Sequence, residues 1–594
     1  MPTNSTTCWG SAPAALGPAS ASRPAWAFHT AALAIYAEGM LAAARRWLSG
    51  SVAALRAAFE DRRLRRVQLG WACSTAGEFV SIIALGLFAY RAGGATAVGV
   101  VAVVQMVPAM LLSPVAGVLG DRFRRELVVI GADALRGTVM GLAAVAAASD
   151  APVATVYVLA AVLALGTHAY YPSQTALVPL LARAADDVTA ASAASSLLRN
   201  ASGLLAPALA GLILLIGSVT VLFVLSAGLF VLGAAAVAGI GRTDSVRSAP
   251  PMARVLDEVA NGFRAAARDR GIALVLGLFA AHGVARGAVG VLLVVVPLEL
   301  LDTGESGVAF VNAAIGFGGL LGAVATAALV GKRTLAGPMA AGLAGTGGAL
   351  VVAGAVPAAA LVVVCVTAVG VGFALVSVVG STILVRSTRD DVLARVFGVL
   401  GTVRAGAMAL GSVVAPVLVA VGGSRIALAA TGAVLVGVAV TARGGVLALD
   451  ARAQVPEPEL RLLRAAAVFA PILPVALERL AARLEPIAVP SGREIVHQGD
   501  AGECVYLVAE GRLVIETDGR ALEEIGASEL FGEMALLRDA PRNATVRAVE
   551  DSRVLRLERS EFLAAVTGHP VSSQQASDLV STRLQLRRHI LGEG

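Results

Sequence analysis

Charge is scarce in this sequence. Only 15% of its 594 residues are charged and 57% are hydrophobic, against about 25% charged in soluble domains, and the mean hydropathy is +0.79. A soluble core of this size cannot hide so much apolar surface, so the lipid bilayer is the expected solvent. Cysteine is almost missing: Cys8, Cys73, Cys365 and Cys504 lie far apart and form no CxxC or Cys/His cluster. That excludes a disulfide framework or a zinc site, and Cys73 and Cys365 read as small hydrophobes within apolar runs. Aromatics are 4% of the chain and do not gather with the arginines behind the net charge of +6. Without a compact basic-and-aromatic patch, a nucleic acid polymer is not an expected partner. Glycine-rich runs such as 316–319 and 401–411 contain no GxxxxGK[ST], so no ATPase engine is expected, and they suit close helix packing instead. No nucleophile–base constellation or metal cluster appears, so neither an enzyme nor a bound cofactor is expected.

Long apolar runs are present instead. A bilayer core needs about 20 apolar helical residues to cross. Twelve runs approach or exceed that: 67–90, 95–119, 127–147, 152–171, 191–216, 219–240, 272–297, 308–330, 335–356, 358–384, 396–421 and 426–442, the last being short. The polar segment 241–271 divides them into two sets of six, as in transporters built from internal repeats. Within it, Val255, Val259 and Phe263 form one apolar stripe, read as a helix lying along the membrane face. Residues 1–24 read as a disordered tail, and 26–44 as either an interfacial amphipathic helix or a further span; Arg62, Arg63, Arg65 and Arg66 precede the first run. Even-numbered loops hold the basic residues, including Arg122, Arg124, Arg125, Arg183, Arg242, Arg247, Arg254, Lys332, Arg333, Arg386, Arg389 and Arg395. Odd-numbered loops hold little beyond Arg91 and Arg425, and one is acidic (Glu299, Asp302, Glu305). Basic residues in short loops stay cytoplasmic, so a multi-pass protein of the cell membrane is expected, with both termini inside.

The segment 117–126, GVLGDRFRRE, is a tight charged hairpin between the second and third runs. Through Gly117, Leu119, Asp121, Arg122 and Arg125 it resembles the loop after the second span in the major facilitator superfamily, with Gly120, Arg124 and Glu126 departing from that pattern as in its efflux-type branches. The resemblance covers about 67–442. Asp121 can cap a helix N-terminus or pair with an arginine of a neighbouring span, which would hold the outward-facing state and break as the halves rock. The alternative is a plain topogenic turn. Glu78, Asp133, Arg136, Arg286 and Arg404 fall inside apolar runs. Each costs about 3 kcal/mol or more at mid-membrane unless it pairs or faces a cavity. Asp133 and Arg136, three residues apart, can satisfy each other. Glu78 has no partner within its own run and reads as a lone carboxyl suited to proton coupling, with His168 and His282 as further candidate relays.

After about residue 445 the composition changes. Residues 446–469 read as a charged, proline-punctuated linker, followed by a soluble domain over 470–594 with short alternating strands. Residues 531–546, FGEMALLRDAPRNATV, resemble the phosphate-binding cassette of cyclic-nucleotide-binding domains. The chemistry suits that ligand. Gly532 lets backbone approach the phosphate at a short helix opening through Met534 and Ala535. Glu533 can accept from a ribose hydroxyl, and Arg542 can give a charge-assisted hydrogen bond to the cyclic phosphate. Asn543 and Ala544 follow, and Asn543 leaves the choice between cyclic AMP and cyclic GMP open. A final helix over 572–590 resembles the lid of such domains, with Arg583, Leu584 and Arg587 as candidate contacts.

Together these resemblances imply an all-α membrane domain of twelve transmembrane helices in two six-helix halves, with residues 1–66 before it. A C-terminal β jelly-roll cyclic-nucleotide-binding domain with flanking helices follows. The implied function is proton-coupled efflux of a small-molecule cargo, regulated by a cyclic nucleotide. The alternatives are a transport-inactive, membrane-tethered sensor of cyclic nucleotides and a cyclic-nucleotide-gated channel, against which the absence of a TVGYG-like filter counts.

Overall fold

The structure is a computed structural model. It describes residues 52–122, 124–149, 151–182, 185–241, 267–329, 334–388, 390–452, 457–469 and 474–567, together with 45, 49, 262–264, 472, 577–578, 580–583 and 585. The expected N-terminal tail and amphipathic helix fall outside these residues. So do Val255, Val259, Arg183, Arg242, Arg247, Arg254, Lys332, Arg333, Arg389, Leu584 and Arg587, and the side chains of Asp121 and Arg122.

Ten described helices are long and apolar enough to cross a membrane. They are α1 (Arg62–Arg122), α2 (Arg125–Ala148), α3 (Val153–Leu181), α4 (Ala185–Ile216), α5 (Val219–Ala238), α6 (Arg270–Glu299), α7 (Gly304–Ala327), α8 (Ala336–Ala355), α9 (Ala359–Ser387) and α10 (Asp390–Arg452). Two of them are each a pair of crossings. The backbone of α1 leaves the helix at Gly93 and Gly94, and that of α10 at Gly423, where φ is +75°. Only glycine adopts that region without a Cβ penalty. Counted across these kinks, the described helices make six crossings on each side of the 241–271 segment. The first crossing starts at Arg62 rather than Val67, and the last runs well past Ala442. The hairpin is shorter than the sequence suggests: Asp121 and Arg122 are the last residues of α1, and Arg124 already caps α2.

The helices α1–α5 pack on one another, as do α6–α10, and the halves meet where α1 touches α6 and α10 and where α4 touches α7. Small residues allow close approach: between the halves, a Cβ on Gly316 of α7 would lie 2.0 Å from the Gly203 carbonyl oxygen of α4, and the same holds between α6 and α10. A Cβ on Gly287 would lie 2.0 Å from the Met408 carbonyl oxygen, and one on Gly411 1.9 Å from that of Val284. Large apolar side chains such as Leu205, Leu212, Val224, Val364 and Val440 stay exposed on the outer faces of the helices, as a bilayer allows. At the acidic loop end, Arg91 pairs with Glu305 at 2.6 Å, and Tyr90 and Ser424 donate to Glu299 at 3.1 and 2.9 Å.

Beyond α10 come α11 (Glu457–Ala465) and α12 (Pro474–Arg483), then eight strands: β1 (Glu485–Val489), β2 (Glu494–Val496), β3 (Cys504–Glu510), β4 (Leu513–Thr517), β5 (Arg520–Ile525), β6 (Leu530–Phe531), β7 (Thr545–Ala548) and β8 (Ser552–Glu558). They form two antiparallel sheets, ordered β1-β8-β3-β6 and β2-β7-β4-β5. The short helix α13 (Glu533–Arg538) follows β6, and α14 (Arg559–Thr567) follows β8. Leu460 and Leu463, expected in a linker, are buried with Leu477, Leu507, Leu555 and Phe562 in one core. The apolar stripe of α11 is what takes it there.

Candidate functional site

Two sites emerge, one in each part of the chain. In the C-terminal domain, a pocket of about 670 Å³ of atom-free space is lined by Gly532, Glu533, Met534, Ala535, Arg542, Asn543 and Ala544. The structure thus brings all seven sequence-derived nucleotide residues to one wall. Gly532 caps α13 in the left-handed region at φ +85°, and a Cβ there would lie 2.5 Å from Arg542 Nη1. The backbone therefore favours glycine here, and any side chain would also push Arg542 from its place.

Arg542 is buried. It donates from Nη1 to the Gly532 carbonyl and from Nη2 to the Cys504 carbonyl, both at 2.7 Å. These bonds tie β3 to the start of α13 and leave further guanidinium donors. Glu533 is 1% exposed, and its Oε2 has no partner among the described residues. A buried, unpaired carboxylate oxygen in a pocket wall is an acceptor awaiting a donor. Its Oε1 accepts from Arg583 Nη1 at 2.7 Å, and the same nitrogen donates to the Leu530 carbonyl at 2.8 Å. Arg583, singled out in the C-terminal segment, therefore reaches across the pocket. Sequence reading missed Val496, Ile515, Thr517 and Leu522, which complete the wall from the second sheet. The alternation of Ile515 and Thr517 on β4 was the available signal.

Near the pocket, Tyr506 stacks on Phe531 with centroids 5.0 Å apart and accepts from Cys504 Sγ at 3.2 Å. Burial, then the Cys504 contact, push its phenol up to about 12.

The second site lies between the two halves of the membrane part. A cavity of about 1860 Å³ of atom-free space is lined by residues of α1, α4, α6, α7, α9 and α10, among them Gln105, Arg199, Asn200, Arg286, Asn312 and Arg404. Arg286 and Arg404 were named from sequence; Arg199 was not, although it is a lone charge within the 191–216 run and so carried the same signal.

The other membrane candidates lie elsewhere. Asp133 and Arg136 pair with each other, both fully buried, among α1, α2, α3 and α5. Ser74 donates to Asp133 at 2.6 Å, and the Arg136 guanidinium lies 4.2 Å from the Tyr170 ring centroid and 4.5 Å from that of Phe230. Neither residue lines the cavity; the pair neutralises its own charge locally, while Arg136 Nε and Nη1 have no hydrogen-bond acceptor among the described residues.

Glu78 is not the lone carboxyl read from the sequence. Tyr171 Oη donates to its Oε2, and Arg199 Nη1 donates to Tyr171 Oη. The partner comes from α3, a different span, which is why no pattern within its own run reveals it. His168 Nε2 lies 3.4 Å from the Gln105 carbonyl, and His282 packs edge-on against Phe373. Arg125 donates to the Ala176 carbonyl at 2.9 Å, joining α2 to α3 beside the hairpin. The gating partners expected for Asp121 and Arg122 lie outside the described side chains.

Comparison with known proteins adds the following. The Major Facilitator Superfamily model matches residues 69–412, and the Cyclic nucleotide-binding domain model matches 486–569. The chain is 39% identical over 101 residues to the Cyclic AMP receptor protein of Thermus thermophilus, covering 16% of this chain and 47% of that protein. It is 34% identical over 131 residues to Lysophospholipase nte1 of Aspergillus oryzae, covering 21% of this chain and 8% of that protein. The chain therefore spans less than half the length of either relative, and the lysophospholipase likeness is confined to the cyclic-nucleotide-binding region. Among solved structures, the Thermus thermophilus Catabolite Activator Protein aligns at 33% identity and TM-score 0.20, covering 21% of this chain and 62% of that one.

Proposed function

As this chain belongs to the Major Facilitator Superfamily and carries a cyclic nucleotide-binding domain, we propose that it is a proton-coupled efflux transporter whose activity a cyclic nucleotide controls. It is a multi-pass membrane protein, and in this reading its basic loops and both termini face the cytoplasm. The observation that carries the regulatory half is the buried ion pair between Arg386 at the end of α9 and Glu478 in α12. It joins a membrane-spanning helix to the helix that enters the nucleotide domain.

In this reading the ribose hydroxyl donates to the unpaired Oε2 of Glu533, and the cyclic phosphate accepts from Arg542. The ligand fills the pocket beneath Arg583 and shifts α12 against α9. A coupling of about 1–3 kcal/mol is enough to shift the transporter's two-state equilibrium about 5–150-fold. Cyclic AMP is the favoured ligand, by likeness to the bacterial receptor protein. In the membrane part, Glu78 takes up and releases the coupled proton, and Tyr171, held between Glu78 and Arg199, links its protonation to the cavity that Arg199 lines. Asp121, at the end of α1, gates the cytoplasmic side, so Asp121→Asn slows transport without abolishing insertion.

The test is reconstitution of the full chain in liposomes under an imposed pH gradient, with proton movement followed in the presence of candidate cargo, with and without cyclic AMP or cyclic GMP. A flux that follows the gradient and responds to one nucleotide supports the reading. Gradient-driven flux that ignores both nucleotides removes the regulatory half.

A further inference from the structure

Among its described residues, the cavity between the halves carries charge of one sign only. Arg199 from α4, Arg286 from α6 and Arg404 from α10 line it, and no aspartate or glutamate does. Arg286 lies within Coulombic range of both Arg404 and Arg199. Arg199 is engaged by the Tyr171 hydroxyl and lies 5.8 Å from the Phe79 ring. Arg286 and Arg404 have no hydrogen bond or ion pair among the described residues. Arg286 is exposed to the cavity, with its guanidinium 5.3 Å from the Phe373 ring centroid, and Arg404 is half-buried.

Two unpaired guanidiniums at mid-membrane, close to a third, are a costly arrangement that a structural role does not explain. The Asp133–Arg136 pair shows how this fold neutralises a charge it needs only for packing. Arginine also differs from lysine in presenting a rigid fork of donors that matches the two oxygens of a carboxylate or phosphate. The remaining wall is largely apolar, with Phe79, Ile82, Leu293 and Phe373.

We propose that this cavity binds a small organic anion: an apolar body bearing one or two carboxylate or phosphate groups, with Arg286 and Arg404 as direct ligands and Arg199 as the third contact. The site's chemistry stands on the cavity; that the anion is cargo rests on the transport reading above. An anion arriving at Arg199 competes with the Tyr171 hydroxyl for the guanidinium. It thereby alters the hydrogen bond held by Glu78, which links cargo to proton.

The experiment holds the apolar body constant and changes only the head group. Full-length protein in detergent is titrated with naphthalene carboxylate, naphthyl phosphate, naphthylmethyl-trimethylammonium and naphthylmethanol, and its thermal unfolding midpoint is followed. The two anions raise the midpoint in a saturable way; the cation and the alcohol do not. Arg286→Gln and Arg404→Gln each weaken the apparent anion affinity at least about tenfold, and Arg286→Lys, which keeps charge but loses the fork, weakens it less. Arg91→Gln, at the acidic loop end, leaves anion binding unchanged.

The proposal is overturned if neither anion stabilises, if the cation or alcohol does so equally, or if both glutamine variants unfold normally and bind the anions as before. It is also overturned if only phosphatidylglycerol in bicelles competes for the site, since that makes it a lipid site. Flux in liposomes separates the two readings. Anion binding without transport removes the transporter reading and leaves the site standing. Transport of the ammonium probe without anion binding does the reverse.

Discussion

Arg386 and Glu478 form a two-bonded ion pair, Nε to Oε2 and Nη2 to Oε1, each 2.9 Å. The side chains are 10% and 7% exposed. Arg386 lies in the last turn of α9, where a cation also complements the helix dipole. Ninety-two residues of chain separate the two partners.

Removing one member of this pair strands the other in a buried place, which costs about 3–5 kcal/mol. Arg386→Gln and Glu478→Gln therefore lower thermal stability, and the double variant recovers part of that loss. Both singles keep nucleotide affinity within about threefold and lose most of the nucleotide response of transport. A response that survives in the double variant removes this pair from the coupling route.

In the proposed nucleotide reading, Arg542 meets the phosphate and Glu533 the ribose hydroxyl. Hydrogen bonds to charged groups contribute about 1.5–3 kcal/mol, so Arg542→Gln weakens cyclic nucleotide binding about 10–150-fold by calorimetry on the full chain. Glu533→Gln has the smaller effect, because an amide oxygen still accepts from a hydroxyl. Unchanged binding in the Arg542 variant rules out this pocket.

Glu78, Tyr171 and Arg199 form one chain of hydrogen bonds. Glu78→Gln abolishes flux driven by a pH gradient and leaves gradient-independent exchange of cargo intact. Tyr171→Phe breaks the link and shifts the pH dependence of exchange. Full gradient-driven flux in Glu78→Gln ends the proton assignment.

Tyr506 sets an alkaline limit on the C-terminal domain. Its phenol titrates near 12 in the folded chain, against 10.0 for an unhindered tyrosine. Between those values the folded state holds a proton that the unfolded state has released, so stability is full below about pH 10 and falls as pH rises through 12. Tyrosinate absorbance and circular dichroism on one alkaline titration check this. Tyr506→Phe flattens the fall, and an unchanged alkaline midpoint counts against it.

Much of this protein was legible before any coordinates. Long uncharged runs identify the bilayer as solvent because backbone and side chains have few other ways to satisfy themselves there. The cassette from Phe531 to Val546 was legible because its chemistry is local: glycine, glutamate and arginine sit within one short helix and the turn after it. The Asp133–Arg136 pair was legible for the same reason, since a three-residue spacing on a helix places two side chains together.

Other features were not, and each involves distance along the chain. Glu78 reads as solitary until α3 delivers Tyr171. Arg386 reads as one more basic loop residue until α12 brings Glu478 against it. Leu460 and Leu463 read as linker until α11 folds into the domain core.

Composition and short-range pattern alone decided the solvent, the long apolar helices and the nucleotide cassette, because those depend on neighbours within a few turns. Which charges stand unpaired around a central cavity, and which are answered by a partner from another span, was decided only by packing. Pairing across helices depends on rotation and register that local sequence does not encode, so Glu78 and Arg286 each read as a lone charge within an apolar run and differ wholly in the fold.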